Sequence, residues 1–353
     1  MSLVNTLVQT FRADVPDFDK NEFRIMQAGM TNLYQKQSKS AQSFLTPDLL
    51  AKARMTTPNN TVTIPVINYK DVTIRTTRPL TIAADENTSA LYTVTWTTFA
   101  YGFKMYPAQH FNNDISYQRD FNKKMEAMLV KMTAAIEAAG IAVVDTAKTQ
   151  TIGQLVAGHT FTSDVVHEFA ATYKDSQIIG DLSPMMGSND FYSIGLDVVG
   201  NRGLEALLNR MEGFGAQNSE NKQWQWANNS FTFSNLITNS SGKKATGYAI
   251  NPGTLGLLSR VEPDSAYGTK LGTSHEWDTV MMPGLDIEFG TYTYDEAVDL
   301  SGAGNAAITH LTRTGAKNFD FAVDLAFLTP YVSDGSDPVT PIIKFDFNIN
   351  GGT

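Results

Sequence analysis

The chain has 353 residues, of which 42% are hydrophobic and 18% charged, and its formal charge at pH 7 is -9. That composition excludes general disorder, and the acidic balance disfavours free binding to a nucleic-acid backbone. With no cysteine, disulfides and thiolate zinc sites are excluded too.

Met1 to Thr10 has no basic start, long apolar run or small-residue cleavage site, so no secretory signal is expected. No apolar stretch reaches the roughly twenty residues of a membrane span, so no membrane contact is expected. Residues 1–55 are polar and loosely patterned. A helix is predicted over Asp19–Gln37, with Phe23, Met26, Met30, Leu33 and Tyr34 near one face. The remainder, up to Pro47, has few core-forming residues and reads as an arm that needs another surface to lie on.

From Thr56 the period changes to two. Thr61–Ile67 alternates, Asp71–Arg75 alternates again, and a polar tip at Ala84–Ser89 leads to Leu91–Thr98. There Tyr92, Val94 and Trp96 share one face and Thr93, Thr95 and Thr97 the other. A two-stranded ribbon is marginal alone in water, so its apolar face rests either on a local core or on something else.

The strongest helix signal follows. Phe121, Met125, Met128, Leu129, Met132 and Ile136 form one stripe of a 3.6-residue period. Arg119, Lys123, Lys124, Lys131 and Glu137 fall mostly on the other side. Asn113 or Asp114 is the expected cap and Gly140 the expected stop. About 25 residues at 1.5 Å each span roughly 37 Å. Beyond residue 150 short strands, helices and turns mix. Predicted are a helix at Leu204–Met211, a buried strand at Gly247–Ile250 and a helix from Asn251-Pro252 to Ser259. Later strands are predicted at Leu285–Phe289, Phe319–Leu325 and Ile342–Phe347. There is no internal repeat and no low-complexity tract.

Motifs for chemistry are weak. Gly302-Ala-Gly304-Asn-Ala-Ala307 matches a relaxed dinucleotide fingerprint, but an acidic stretch precedes it in place of a buried strand. Neither a phosphate loop nor a Gly-x-Ser-x-Gly elbow is present. His110, His159, His167, His275 and His310 lack the helical spacing of a metal pair, and Asp14, Asp17 and Asp19 lack the later ligands of a calcium loop. Trp224 and Trp226 alternate in a predicted strand, one facing in and one out. No catalytic residue, metal or cofactor is expected.

The order of arm, long two-stranded excursion, single long helix and mixed region resembles the major capsid proteins of tailed bacteriophages, the Hong Kong 97 fold family. Ala245–Leu258 is similar to that family's axial strand, Trp277–Gly290 to its late strand pair, and Phe327–Tyr331 with Pro341–Lys344 to its closing segment. The resemblance implies an α+β fold. It assigns an N-terminal arm at 1–55, an extended loop at 56–106 and a peripheral domain with spine helix at 107–150. An axial domain follows at 151–325, some of its strands returning to the peripheral domain, and then a C-terminal segment at 326–353.

It further implies a subunit that self-assembles into hexamers and pentamers of an icosahedral head around double-stranded DNA, which it touches weakly and without sequence preference. A portal protein would be a partner, and because the hairpin is reached by residue 61, so would a separate scaffolding protein. The place of the protein would be the virion, assembled in the host bacterial cytoplasm. Loop and arm would lie on neighbouring subunits, with Lys70, Arg75, Arg78, Asp85, Glu86, Tyr92, Val94 and Trp96 as inter-subunit contacts.

Some family members weld subunits by a lysine–asparagine bond with a catalytic glutamate. Here Lys70 and Lys104 are the loop lysines, Asn348 and Asn350 the late asparagines, and no glutamate follows Glu296, so no weld is expected. Two other readings stay open: another phage structural protein of tail or decoration type, and a β-rich protein that binds or cleaves carbohydrate around Trp224 and Trp226.

Overall fold

The long stripe forms a helix of 31 residues, Tyr117–Ala147, in a computed structural model of the chain. The structure describes residues 3–17, 28–41, 43–54, 61–67, 76–77, 89–111, 116–149, 159–161, 166–169, 175–187, 191, 195–210, 216–218, 223–226, 229–299, 313–329 and 340–348. Among them are seven helices and sixteen strands, an α+β arrangement. Helices α1 (Leu3–Asp17), α2 (Gly29–Ser38) and α3 (Pro47–Arg54) come first, then β1 (Thr63–Ile67), β2 (Ser89–Thr93), β3 (Thr97–Met105) and the long helix α4. Strands β4 (His159–Phe161) and β5 (Val166–Phe169) precede α5 (Asp175–Gly187), β6 (Asp197–Gly200) and α6 (Arg202–Arg210). Next come β7 (Ala216–Asn218), β8 (Gln223–Trp226), β9 (Asn229–Phe233), β10 (Lys243–Ile250), β11 (Gly256–Arg260), α7 (Pro263–Tyr267) and β12 (Lys270–Leu271). The chain closes with β13 (His275–Met281), β14 (Glu288–Asp299), β15 (Arg313–Leu328) and β16 (Ile342–Asn348).

Two large sheets carry the fold. One runs β11-β15-β14-β13-β12 with β3 added on β15, and the other runs β4-β5-β16-β10-β6-β9-β8-β7. Helix α4 lies on the first. Its Phe121, Met125, Met128, Met132 and Ile136 are buried with Phe319, Phe321 and Val323 of β15 in the largest core, and Leu129 packs against them. At about 25 cal/mol per Å2 of apolar surface, such a stripe holds helix to sheet more firmly than helix propensity does. A second core joins α5 and α6 to the eight-stranded sheet through Leu204, Leu207, Leu208, Phe231 and Phe345. A third, smaller one gathers Leu45, Ala53, Val62, Ile64, Val94, Leu258, Ala326 and Leu328.

Several expectations change. Ser116, not Asn113 or Asp114, caps α4 by accepting from the Arg119 amide at 3.2 Å. Gly140 does not end it: the helix continues to Ala147. A Cβ there would lie 3.1 Å from the Phe327 ring and 3.4 Å from Tyr34, so the glycine admits two rings against the helix. The helix predicted from Asn251 is instead a turn at Pro252-Gly253, with Gly253 at φ 87°, followed by β11 paired with β15 from Gly256↔Leu328 to Arg260↔Asp324. Leu257 feeds the first core and Leu258 the third, and a strand buried on both faces shows no period that separates it from a short helix. Residues 97–105, taken as part of the loop, form β3 and pair along β15 from Met105↔Lys317 to Thr97↔Leu325. The predicted helix over Asp19–Gln37 is described only in its second half, as α2.

Candidate assembly interface

The ribbon is β1 against β2, in register from Thr63↔Thr93 to Ile67↔Ser89. Its base is anchored in its own chain. Val94 donates its amide to Val62 O at 2.9 Å, and Val62, Ile64 and Val94 are buried in the third core with Trp96 packed on it. The Arg260 guanidinium sits 4.3 Å from the Trp96 ring centroid. Its Nε donates to Asp324 at 2.8 Å, and Asp324 also accepts from the Thr98 hydroxyl at 2.6 Å. Of the two supports open to the stripe of Tyr92, Val94 and Trp96, the local core holds Val94 and Trp96: β2 ends at Thr93, and α3 and the end of β15 supply residues of the same cluster. Further out, Leu91 is 71% exposed and Tyr92 39% exposed. Sequence reading missed Leu91, whose signal was a large apolar residue beside Tyr92 in a short ribbon. Lys70, Arg75, Arg78, Asp85 and Glu86 lie outside the described residues, as does the strand expected at Asp71–Arg75.

The N-terminal region is not a free arm. Val4, Leu7, Val8 and Phe11 of α1 are buried in the first core beside Met30, Leu33 and Tyr34 of α2. Helix α2 bonds to three parts of the fold. Glu137 of α4, fully buried, accepts from the Met30 and Thr31 amides at 2.8 Å each and from the Thr31 hydroxyl at 2.7 Å. The carboxylate thereby caps the α2 N-terminus, where free N–H groups and the helix dipole favour a negative charge. Lys36 and Gln37 donate to Asp197 of β6 at 2.6 and 2.9 Å. Leu255 and Leu257 donate their amides to the Gln37 and Ser38 side chains at 2.8 and 2.7 Å. Glu137 had been read onto the polar side of α4; its alignment with Met132, Thr133 and Gly140 was the overlooked signal.

At the other end of α4, Asp145 accepts from Lys344 and Tyr248, both at 2.8 Å, and lies 2.9 Å from Lys148. Burial pushes this carboxyl up, but the hydrogen bonds from Lys344, Lys148 and Tyr248 outweigh it and hold it at about 2. A folded value below the ordinary 3.8 means a stabilising contribution that is present above pH 4 and lost as pH falls toward 2. The Asp145→Asn variant should thus lose the part of the acid-induced fall in melting temperature that the parent shows between pH 4 and 2. Thermal melts of both proteins across that range check it.

Among the described residues, no group of three or more His, Asp or Glu side chains is disposed to hold a metal ion. Lys104 lies 2.6 Å from Glu296, which also accepts from Asn318 at 3.0 Å. The bond to Glu296 raises the Lys104 pKa, and the bonds from Lys104 and Asn318 lower that of Glu296. His275 stacks in a ladder with Trp277, Tyr292 and Tyr294, and its Nδ1 is 2.7 Å from the Tyr292 hydroxyl. The strand holding Trp224 and Trp226 is β8, with Trp224 opposite Phe231 and Gln217. Gly302–Ala307, Asn350 and His310 lie outside the described residues. A cleft of about 320 Å3 between α2, α3 and β11 is lined by Gln35, Lys39, Leu50, Leu257, Met281 and Glu288, among others.

No protein-family model matches the chain, and no curated protein matches it. Solved structures do match. A capsid asymmetric unit of cyanophage Pam1 is 9% identical, with 95% of this chain and 96% of that one covered and a TM-score of 0.49. A structure of Mycobacterium phage Che8 is 10% identical over 88% and 90% of the two chains, with a TM-score of 0.47. An asymmetric unit of the mature capsid of bacteriophage PhiM1 is 11% identical over 82% of each, with a TM-score of 0.41.

Proposed function

We propose that this chain is a shell-forming subunit, the major capsid protein of a tailed bacteriophage with the Hong Kong 97 type of fold, and that it acts by assembly, not by catalysis. The observation that carries the reading is the β1–β2 ribbon. Its base is locked into the chain's own third core, while its outer part presents Leu91 and Tyr92 to solvent. Apolar side chains that stand this far into water mark contact surfaces, and on this reading a surface on another copy covers Leu91 and Tyr92. On this reading the loop proper ends at Thr93, the spine helix is α4 on the six-stranded sheet, and the eight-stranded sheet is the axial domain that meets its copies around hexamer and pentamer axes.

The shell encloses double-stranded DNA in the virion, and its partners are a portal protein and a separate scaffolding protein, with assembly in the host bacterial cytoplasm. Lys70, Arg75, Arg78, Asp85 and Glu86 extend the contact beyond the described residues and set its register by charge. The acidic balance of the chain suits a container whose contact with DNA is weak. Electron microscopy of the purified, concentrated protein in negative stain tests the proposal. Closed shells with six- and five-fold capsomers are expected, and a uniform field of single subunits at every concentration would overturn it.

A further inference from the structure

We infer that Asp320, on the face of the six-stranded sheet opposite α4, docks an arginine side chain of a partner protein. Neither the ribbon nor the shell reading is needed for it. Phe319 and Phe321 point into the core under α4, so Asp320 between them stands on the other face. Strand register sets its neighbours there. Trp277, Tyr292, Asp320 and Gly102 form one row across β13, β14, β15 and β3, and His275, Tyr294, Asn318 and Lys104 form the next. The rings stack: Trp277 and Tyr292 lie 4.5 Å apart between centroids, and Tyr292 and Tyr294 5.1 Å. The Tyr292 hydroxyl is 2.7 Å from His275 Nδ1, which fixes the ring. The two tyrosines wall Asp320 on the β14 side. On the β3 side the exposed Gly102 leaves it open, since a Cβ there would lie 3.1 Å from the Asp320 carboxylate. Asp320 is half-buried and has no ion-pair partner among the described residues.

The same face already holds such a cation once. Four residues along β15, Asp324 accepts from Arg260 Nε at 2.8 Å, and the Arg260 guanidinium lies 4.3 Å from the Trp96 ring centroid. There the chain supplies its own arginine to a carboxylate beside a ring; at Asp320 carboxylate and rings recur without one. A planar guanidinium can bond a carboxylate through two N–H groups and still lie against aromatic rings, which an ammonium does less well. The surrounding charge also favours a cation. Carboxylates outnumber lysine and arginine ten to four over residues 97–105, 256–297 and 315–328. The nearest of those cations, Lys104, is held by Glu296 at 2.6 Å. Lys123 and Lys124 of α4 belong to the opposite side of the sheet and are paired with Glu126 and Asp120.

The test titrates full-length protein with capped glycine-serine peptides that carry one central arginine, lysine or citrulline, followed by saturation-transfer NMR. Salt is kept at about 0.15 M, where attraction beyond about 8 Å is largely screened. The arginine peptide should bind, and the citrulline peptide, its neutral isostere, should bind on the order of tenfold more weakly. The lysine peptide should fall between them. Asp320→Asn, which keeps the shape of the side chain, should weaken arginine binding on the order of tenfold, and Tyr292→Leu should weaken it as well. Glu288→Gln removes a charge further along β14 and should leave binding at the parental level, with folding of all variants checked by circular dichroism. Equal binding of the arginine and lysine peptides, or equal losses from Asp320→Asn and Glu288→Gln, would mean general attraction to an acidic surface and overturn the inference. A parent that ignores the arginine peptide also overturns it; if Asp320→Asn then blocks particle formation, the carboxylate serves a contact between copies instead.

Discussion

Replacing Glu137 with alanine should lower the unfolding free energy by about 3 kcal/mol, read from the midpoint and slope of urea denaturation. The side chain is fully buried and takes three hydrogen bonds, two from the first amides of α2 and one from the Thr31 hydroxyl. Hydrogen bonds to a charged group contribute about 1.5–3 kcal/mol each, and donors left unpaired in a core cost about 1–3 kcal/mol. The parent's folded state bears the cost of taking the carboxylate out of water, which alanine does not, and this offsets part of that sum. Glu137→Gln keeps one acceptor and should lose roughly half as much. Thr31→Val removes one hydroxyl alone and should cost about 1 kcal/mol. Because α2 also bonds to β6 and β11, loosening its start should weaken the joint between the two sheets, not only α4.

Phe121→Ala should cost about 4 kcal/mol in the same assay. Its ring is fully buried and meets Phe103 at 5.6 Å and Phe319 at 5.4 Å, both edge to face. The truncation removes the transfer energy of the ring and leaves a cavity among aromatic walls that cannot collapse. Phe121→Leu, which fills most of that volume, should cost under 1.5 kcal/mol. A small effect from alanine would mean that α4 is held to its sheet elsewhere along the stripe.

The legible parts of the chain were those whose signal is local. The α4 stripe repeats at helical period over many turns, and β16 and the middle of β15 are dense in apolar residues. The buried strand at Gly247–Ile250 was also read in place, within β10. What failed depended on distant partners. The support of Val94 and Trp96 stayed open in the sequence because their cover comes from Leu45 and Ala53 before them and from Leu258, Arg260, Ala326 and Leu328 far after them. Gly140 looked like a helix stop because a glycine that ends a helix and one that admits the Tyr34 and Phe327 rings read the same in sequence. Helix α1 carries Val4, Leu7, Val8 and Phe11 at helical spacing, a stripe hidden by the polar composition around it. Glu137 was invisible as a cap because its donors lie more than a hundred residues earlier.

The central claim is that the outer ribbon is completed by another copy, and the absence of native cysteine allows a direct measurement. A single cysteine at Leu91→Cys reports the environment of that position through its rate of reaction with a maleimide. The account predicts fast labelling in unassembled protein and strong protection once particles form. Equal rates in both states, or protein that never assembles, would contradict it.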